Sequence, residues 1–382
     1  MDEHAIADSL RNVLDGLDDP REGNAQLHPL ENIIFMALYS IICGAEAWTQ
    51  VEQYCIGKRW WFEKFLDLSG GIPSHDTFGR VFGLLDPDGL RRCLLAWSRT
   101  LVEGHAGQIS IDGKTLRRSF EAGDPQTALH AVGAWATDQD VMFMGPEAED
   151  GDELGASLKL IDLLELEGTI VTYDALGCQL KMVRKLYHAD ADYLLRVRGN
   201  QENLHQDLID FFEWQLDDPP VDQRLEVDHY ADVDGGHGRV EERSVWCTSE
   251  IDWLETDRKW PGLEAVVRLD STRHVDGETE SMTRYYICSD PEASAEQILE
   301  WARRHWEVEN KAHWVLDVQM GEDDSRVRKD HAAENMAMIR RMAMNMLKQD
   351  DRLDHGLGTK QVRASVDHEY FMHVLSLAVE NL

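Results

Sequence analysis

The sequence predicts an α/β protein, a mixed sheet with flanking helices that follows a helical domain and contains a β-rich insertion. Apolar residues recur at helical spacing up to about residue 105. Strand-like and helix-like runs then alternate up to about residue 200, which is typical of an α/β sheet. From about 205 to 290, β segments follow one another, which indicates the insertion. With 382 residues and 43% hydrophobic content, the chain can form more than one core.

The predicted N-terminal helical domain covers residues 1–105. Its most apolar run, Leu30–Ile42, is followed by Gly44, as expected for a buried helix and its end. The helical period continues over 51–66, and Ser74 opens another helix after a Gly-Gly-Ile-Pro breaker. Residues 90–101 supply the last predicted helix, so this domain needs no sheet.

The second predicted domain covers residues 106–350. In its first half, strands are expected at 108–112, 128–136, 141–145, 169–174 and 193–197, with helices at 155–166 and 179–188. The insertion, at about 205–290, has a short helical start and β segments at 224–230, 239–247, 263–269 and 282–288. A long helix capped by Ser294 and Gln297 follows, then a helix at 332–347 and a polar C-terminal tail at 351–382.

The charge balance disfavours a polyanionic partner. The chain has 38 Lys and Arg against 72 Asp and Glu, a formal net charge of −34. Nucleic-acid binding needs clustered cations, so the net charge does not exclude DNA as a partner if Lys and Arg are grouped locally. Because the acids are dispersed along the chain, they are also typical of a surface adapted to high salt.

Cysteine spacing and hydropathy exclude further classes. The six cysteines form no Cys-x-x-Cys pair, which disfavours a zinc site and predicts free thiols in a reducing compartment. The sequence has no apolar run of about 18 residues and no signal-peptide pattern at its start. We therefore expect a cytoplasmic protein without a membrane partner.

Three acids lie where a metal site could form. Asp112 lies on a predicted strand, Asp174 closes another, and Glu309 lies within a predicted helix. Carboxylate oxygens are the ligands of Mg²⁺, and a pair of such ions can activate water at a phosphodiester. On spacing alone, structural interpretations stay open: Asp112 as a turn residue, Asp174 as a helix N-cap and Glu309 as the partner of a nearby base.

Longer motifs surround these acids. They are IDGKTLR at 111–117, VTYDALGCQ at 171–179 with RGNQ at 198–201, RHWEVENKAHW at 304–314 and, in the helical domain, GIPSHDTF at 71–78. Together they closely resemble the H-repeat-associated family of bacterial insertion-sequence transposases (ISAs1 type, DDE superfamily). The resemblance extends from about residue 18 to 348, with the motifs in the same order.

The resemblance implies an RNase H-like catalytic domain. Carried over motif by motif, Asp112, Asp174 and Glu309 would be both the catalytic residues and the ligands of two Mg²⁺ or Mn²⁺ ions. The implied activity is metal-dependent cleavage at the ends of an insertion sequence, followed by strand transfer into target DNA. The partners would be double-stranded DNA, as terminal inverted repeats and target, and further copies of the chain in a homodimer or larger assembly on DNA.

Polar and basic residues cluster around the three motifs, as expected for phosphate contacts. The predicted DNA-binding residues are Lys114, Arg117, Arg118, Lys181, Arg184, Arg198, Asn200, Gln201, Arg304, His305, Asn310 and Lys311. For each cation, pairing with a surface carboxylate is the structural alternative.

Two other functions are compatible with the sequence. One is a degenerate or domesticated protein that binds DNA without cutting it, an interpretation favoured by the acidic run at 150–153 and by Leu316, where related transposases carry Lys. The other is a metal-dependent nuclease that does not join DNA. An assay of cleavage and joining separates these functions from transposition.

Overall fold

A computed structural model of the chain describes residues 3–102, 107–120, 128–217, 219–236, 239–254, 260–275 and 277–377. The chain divides into two compact units. Unit 1 consists of Met1–Gly104, Gly113–Leu163 and Glu309–Leu382, and unit 2 consists of His105–Asp112 and Leu164–Val308. This division differs from the predicted domains, whose boundaries stay a prediction.

Unit 1 contains most of the helices. The helices before the sheet are α1 (Glu3–Val13), α2 (Leu30–Ile42), α3 (Trp48–Gly57), α4 (Arg59–Phe62), α5 (His75–Leu84) and α6 (Pro87–Thr100). Helix α2 has the predicted bounds, and Ser74 caps α5 by accepting a hydrogen bond from the Thr77 backbone N–H. Strands β2 (His130–Ala136) and β3 (Val141–Glu147) pair antiparallel, and α7 (Glu153–Ile161) follows them.

Helix α11 (Ala332–Lys348) lies at the centre of unit 1. It packs against α2, α5, α6 and β3, and almost all of its side chains are buried. Two of its buried amides bond the backbone of neighbouring elements: the Asn335 amide nitrogen donates to two carbonyls at the end of α5, and Asn345 bonds both the N–H and the carbonyl of Met142. This packing explains why C-terminal and N-terminal segments share one unit.

The predicted polar tail at 351–382 is wrong for the described part of that range. Helices α12 (Leu357–Val366) and α13 (His368–Leu377) occupy it. Phe371 is fully buried, and its ring lies 4.6 Å from that of Tyr39 in α2. The apolar residues of this range recur at helical spacing, so the two helices bury one face although many of their other residues are polar.

Unit 2 contains the larger part of a mixed sheet. Its strands are β4 (Ile170–Tyr173), β5 (Asp192–Val197), β6 (Asp228–Gly236), β7 (Arg239–Thr248), β8 (Ala265–Val275), β9 (Glu278–Cys288) and the first five residues of β1 (Gln108–Thr115). Parallel pairing joins β1 to β4 and β4 to β5. The remaining neighbours, which follow in the spatial order β5, β9, β8, β7 and β6, pair antiparallel. The full strand order is β3-β2-β1-β4-β5-β9-β8-β7-β6. The predicted mixed sheet with flanking helices is therefore confirmed.

Three helices of unit 2 flank these strands: α8 (Leu180–His188), α9 (Glu202–Leu216) and α10 (Ala295–His305). Helix α10 begins with the predicted capping box, in which Ser294 and Gln297 bond each other's backbone N–H groups. Its residues Ile298 and Leu299 pack with the apolar side chains of β7 and β8. This packing fixes α10 on one face of the sheet.

The long helix predicted after Pro291 continues in a different form. After α10, the chain forms π-helical segments at Val308–His313 and Val315–Gln319. Such wider turns are rare and occur frequently at functional sites. All six cysteines are buried and free, in accord with the expectation of reduced thiols. Among the described helices, none has the length and hydropathy of a membrane span.

Candidate active site

Asp112 and Asp174 lie at the same level of neighbouring parallel strands in unit 2. Ile111 of β1 is in register with Tyr173 of β4, so the two aspartates occupy the next matched position. Parallel strands lie about 4.8 Å apart, and matched residues point to the same face of the sheet. Asp112 is half-buried and Asp174 is exposed. The two aspartates therefore come directly after the same registered pair of neighbouring parallel strands, Asp112 within β1 and Asp174 just past the end of β4.

Two of the structural alternatives do not hold. Asp112 lies inside strand β1 rather than in a turn. The N-cap residue of α8 is Gln179, and Asp174 instead accepts a hydrogen bond from the Leu176 backbone N–H at 2.8 Å. That bond orients one oxygen of the Asp174 carboxylate.

The loop after Asp174 is held from a second segment. Asn200 donates its side-chain amide to the carbonyl of Ala175 at 2.6 Å, and Gln201 donates to that of Cys178 at 3.0 Å. Within the loop, a Cβ on Gly177 would lie 2.2 Å from the Tyr173 ring, so only glycine fits there. Asn200 and Gln201, predicted to contact DNA, thus brace the turn that carries Asp174; their contact with DNA stays a prediction.

A polar layer lies beneath the two aspartates, on the same strand face. The Ser110 and Thr172 hydroxyls are 3.0 Å apart, and Gln108 donates to Thr172 and to the carbonyl of Trp301 in α10. The Nδ1 atom of His305, at the end of α10, lies 3.0 Å from the Thr172 hydroxyl. These bonds fix the carboxyl end of α10 next to β4, two residues before Asp174.

Burial lowers the pKa of His305 to about 4, and the charge of Arg196 adds to the shift. His305 is therefore neutral at pH 7, and it forms a hydrogen bond rather than an ion pair. Burial also lowers the pKa of Arg196. The nearby charge of Arg198 lowers that pKa as well, whereas the charge of Asp174 raises it. The prediction that His305 contacts DNA remains untested.

We expect acid to destabilise the protein through His305. Its pKa lies at about 4 in the folded chain against an ordinary value of 6.5, so the unfolded chain binds more protons between these values. Stability should fall as the pH drops from 6.5 towards 4, by at most about 3 kcal/mol. Urea unfolding at several pH values should show a flatter profile for His305→Asn and an unchanged one for the exposed control His188→Asn. Equal profiles for both variants would contradict this role.

Glu309 lies in unit 1, at the start of its C-terminal segment. Its Oε2 atom is 3.2 Å from Nδ1 of His313, one turn later, and its side chain is 60% exposed whereas that of His313 is 4% exposed. Burial and the nearby charge of Lys114 lower the pKa of His313. Each of the two side chains offers one ligand atom for a cation. Glu309 therefore does pair with a base, as its structural alternative predicts, and it keeps most of its carboxylate accessible.

Several predicted DNA-binding cations already have carboxylate partners. Lys114 pairs with Asp317, Arg117 with Asp323, Arg118 with Asp324, Arg304 with Glu300 and Lys311 with Asp140. The Lys114 side chain is only 8% exposed, so its place in DNA binding would require rearrangement. Asn310 is exposed.

Other predicted cations are available. Lys181 and Arg184 lie one turn apart on the exposed face of α8, and Arg198 follows β5. Within the described part of the chain, none of the three has a carboxylate at ion-pair distance. All three belong to the segments that follow or brace the Asp174 loop, where a phosphate backbone would need cations.

Comparison with known proteins identifies the family. The description "Transposase DDE domain" matches residues 109–346, and "DDE_Tnp_1-associated" matches residues 11–98. The chain belongs to the DDE transposase family. Its sheet and helices are accordingly the RNase H-like fold of that family, as the motifs predict.

Relatives of this DDE transposase extend over almost the whole chain. The "H repeat-associated putative transposase YhhI" of Escherichia coli K12 is 32% identical over 91% of this chain and 93% of its own. The "Putative transposase YncI" of E. coli O157:H7 is 31% identical over 97% and 95%. A K12 protein named "Putative protein YbfL" is 32% identical over 94% and 96%.

The donor set suits the metal that the family uses. Asp112 and Asp174 both offer hard carboxylate oxygens, the ligands that Mg²⁺ and Mn²⁺ take in proteins. A bound divalent ion would polarise water and stabilise the leaving oxygen of a phosphodiester. Sequence reasoning missed the polar layer under this pair, because bonds between residues 60 to 200 positions apart leave no local pattern.

Proposed function

We propose that this DDE transposase cuts DNA at the ends of an insertion sequence and joins the freed 3′ ends to target DNA, in a reaction that requires Mg²⁺ or Mn²⁺. The observation that carries the proposal is the matched position of Asp112 and Asp174 on adjacent parallel strands. Two carboxylates so placed are suited to hold a divalent ion against a phosphate.

Glu309 is the third carboxylate of the proposed site. The bond between His305 and Thr172 brings the end of α10 to β4 in unit 2, and the chain reaches Glu309 four residues after His305. This short connection and the family motif both support the assignment. We propose that Asp112, Asp174 and Glu309 together bind two metal ions.

The protein's own groups would position the DNA. Lys181, Arg184 and Arg198 would bind phosphates next to the Asp174 loop, while Arg196 offsets negative charge there. Because the chain carries a net charge of −34, such local cations are needed to bring a polyanion to the site. We propose that the transposase acts in the cytoplasm and binds double-stranded DNA as a homodimer or larger assembly.

The test is an assay with labelled DNA from the ends of the element, in Mg²⁺ and in EDTA. Cleavage followed by joining, in Mg²⁺ only, is the expected result. Cleavage without joining would favour a metal-dependent nuclease, and binding without cleavage would indicate a degenerate copy.

Asn200→Ala is expected to slow the proposed cleavage by roughly 10- to 100-fold, the range for residues that orient metal ligands. Its amide holds the Ala175 carbonyl at 2.6 Å, so the Asp174 turn should loosen while the fold persists. Rates at saturating DNA, over a range of Mn²⁺ concentrations, measure the effect. Asn203→Ala, an exposed amide three residues away on α9, is the matched control. Equal rates for the two variants would exclude this role.

A further inference from the structure

Unit 1 contains a groove that the proposed catalytic residues do not use. Its volume is about 830 Å³. Three segments line it: the start of α3 with Trp48, the exposed face of α5 with Arg80, and residues 321–332. The floor is rigid, because the Trp48 ring packs against those of Phe78 and Phe82, 6.1 and 4.7 Å away.

Three exposed cations line this groove without acidic partners. They are Arg80 of α5 and Arg326 and Lys329 of the third segment. Across the described ranges, no carboxylate lies within ion-pair distance of any of them. What distinguishes the three is that they line one groove together, in a chain where acids outnumber cations by 72 to 38.

A fourth cation is held in place at the same groove. The Nε atom of Arg328 donates to the Arg118 carbonyl at 2.7 Å, and its guanidinium lies 4.7 Å from the centre of the Phe120 ring. These contacts orient the guanidinium without neutralising it. Arg328 therefore adds fixed positive charge to the groove.

The acids at the groove are fewer, and two are offset by nearby bases. They are Glu46, Asp76 and Asp324. Asp324 pairs with Arg118 at 2.9 Å, and Asp76 lies 3.5 Å from His75. The ring of His75 also lies 2.7 Å from a carboxylate oxygen of Glu52, so His75 is shared between two carboxylates and does not count among the unpaired cations. Four Arg and Lys residues therefore line the groove against three acids, on a protein that is acidic as a whole.

We propose that this groove binds the sugar-phosphate backbone of DNA, at a contact separate from the metal-binding carboxylates. The inference rests on the proposed function and adds a second DNA-contact surface to it. Arg80, Arg326 and Lys329 lie along an open groove and come from two segments, which suits successive phosphates of a strand better than one small anion. On so acidic a chain, unpaired cations grouped together lower the cost of approaching a polyanion.

The experiment compares two triple variants of the full chain that change the charge equally. The groove variant carries Arg80→Gln, Arg326→Gln and Lys329→Gln. The control carries Arg92→Gln, Lys159→Gln and Arg352→Gln, three exposed unit 1 cations that also lack a carboxylate partner in the described part of the chain. Affinity for a fluorescent duplex is measured in EDTA over a range of salt concentrations, and circular dichroism checks the fold.

We expect the groove variant to bind at least about tenfold more weakly at moderate salt and to lose about two to three units from the slope of log affinity against log salt, because each lost phosphate contact removes about 0.9. The control should differ little from wild type. Equal affinities and slopes for the two variants would overturn the proposal. So would unchanged duplex affinity combined with the loss of a thermal shift induced by inorganic phosphate, which would identify a site for a free anion.

The cleavage assay distinguishes this inference from the proposed function. Wild-type protein that cuts and joins DNA, together with a groove variant that binds like the control, would refute the groove alone. Weak binding by the groove variant, with a wild type that binds but never cuts, would support the groove and refute the catalytic proposal. A wild type that fails to bind DNA would refute both.

Discussion

Asp112→Asn and Asp174→Asn are each expected to abolish detectable DNA cleavage while leaving DNA binding intact. Loss of one preorganised charge at a reacting centre costs about 10²- to 10³-fold in kcat, and loss of a metal ligand should cost at least that much. Both residues directly follow the registered pair Ile111 and Tyr173, so we expect the two substitutions to have similar effects. Single-turnover cleavage of end-labelled DNA measures the loss.

Binding and folding provide the controls for this result. The substitutions remove negative charge beside the proposed DNA-binding surface, so DNA affinity should hold or rise and the melting temperature should not fall. Asp222→Asn, at an exposed acid in unit 2, should cut DNA like wild type. Normal cleavage by either strand variant would remove that aspartate from the catalytic assignment.

Arg341→Ala is expected to lower the free energy of unfolding by about 3–5 kcal/mol, the cost of leaving one member of a buried ion pair alone. Arg341 in α11 bonds both oxygens of Glu322, at 2.6 and 3.2 Å, and the two side chains are 3% and 0% exposed. Burial is the largest single influence on Glu322 and acts to raise its pKa, but the charges of Arg341 and Arg340 and the hydrogen bond from Arg341 together lower that pKa. Urea unfolding of the purified chain measures the change.

Two further variants separate charge from packing in that experiment. Arg341→Met combined with Glu322→Leu removes both charges and should recover most of the loss. Arg363→Ala removes an exposed pair with Asp367 on α12 and should cost less than about 1 kcal/mol. An Arg341→Ala protein as stable as Arg363→Ala would show that the buried pair contributes little.

The helices and strands could be predicted from the sequence because residues only a few positions apart determine where they begin and end. Leu30–Ile42 is so apolar and so clearly ended by glycine that α2 has the predicted bounds. The capping box at Ser294 formed as predicted, since it needs only residues three positions apart. Asp112 and Asp174 could be singled out because one lies on a short β run and the other closes a second run, and those two runs form neighbouring parallel strands.

The rest depends on contacts that are distant in the sequence. Arg303, which looks available beside Glu309 in the sequence, pairs with Asp232 and Asp234 about 70 residues earlier. Asn200 and Gln201 resemble ligands for DNA, yet their amides hold a loop that begins 25 residues before them. Residues 351–377 are polar on average, but their helices bury one apolar face. The segment that covers this face includes Tyr39 of α2, more than 300 residues earlier, so no local pattern reveals it.

Helix α11 has a consequence for the synthesis of this protein. The apolar faces of α2, α5 and α6 are complete by residue 100, but the helix that covers them begins at Ala332. A ribosome adding 5–20 residues per second needs roughly 10–45 s to cover that interval, so the nascent helices wait with apolar surface uncovered. A gene copy with a frameshift shortly before that point would still encode Asp112 and Asp174. Its product would lack the covering helix, and we expect chaperones and proteases to remove it.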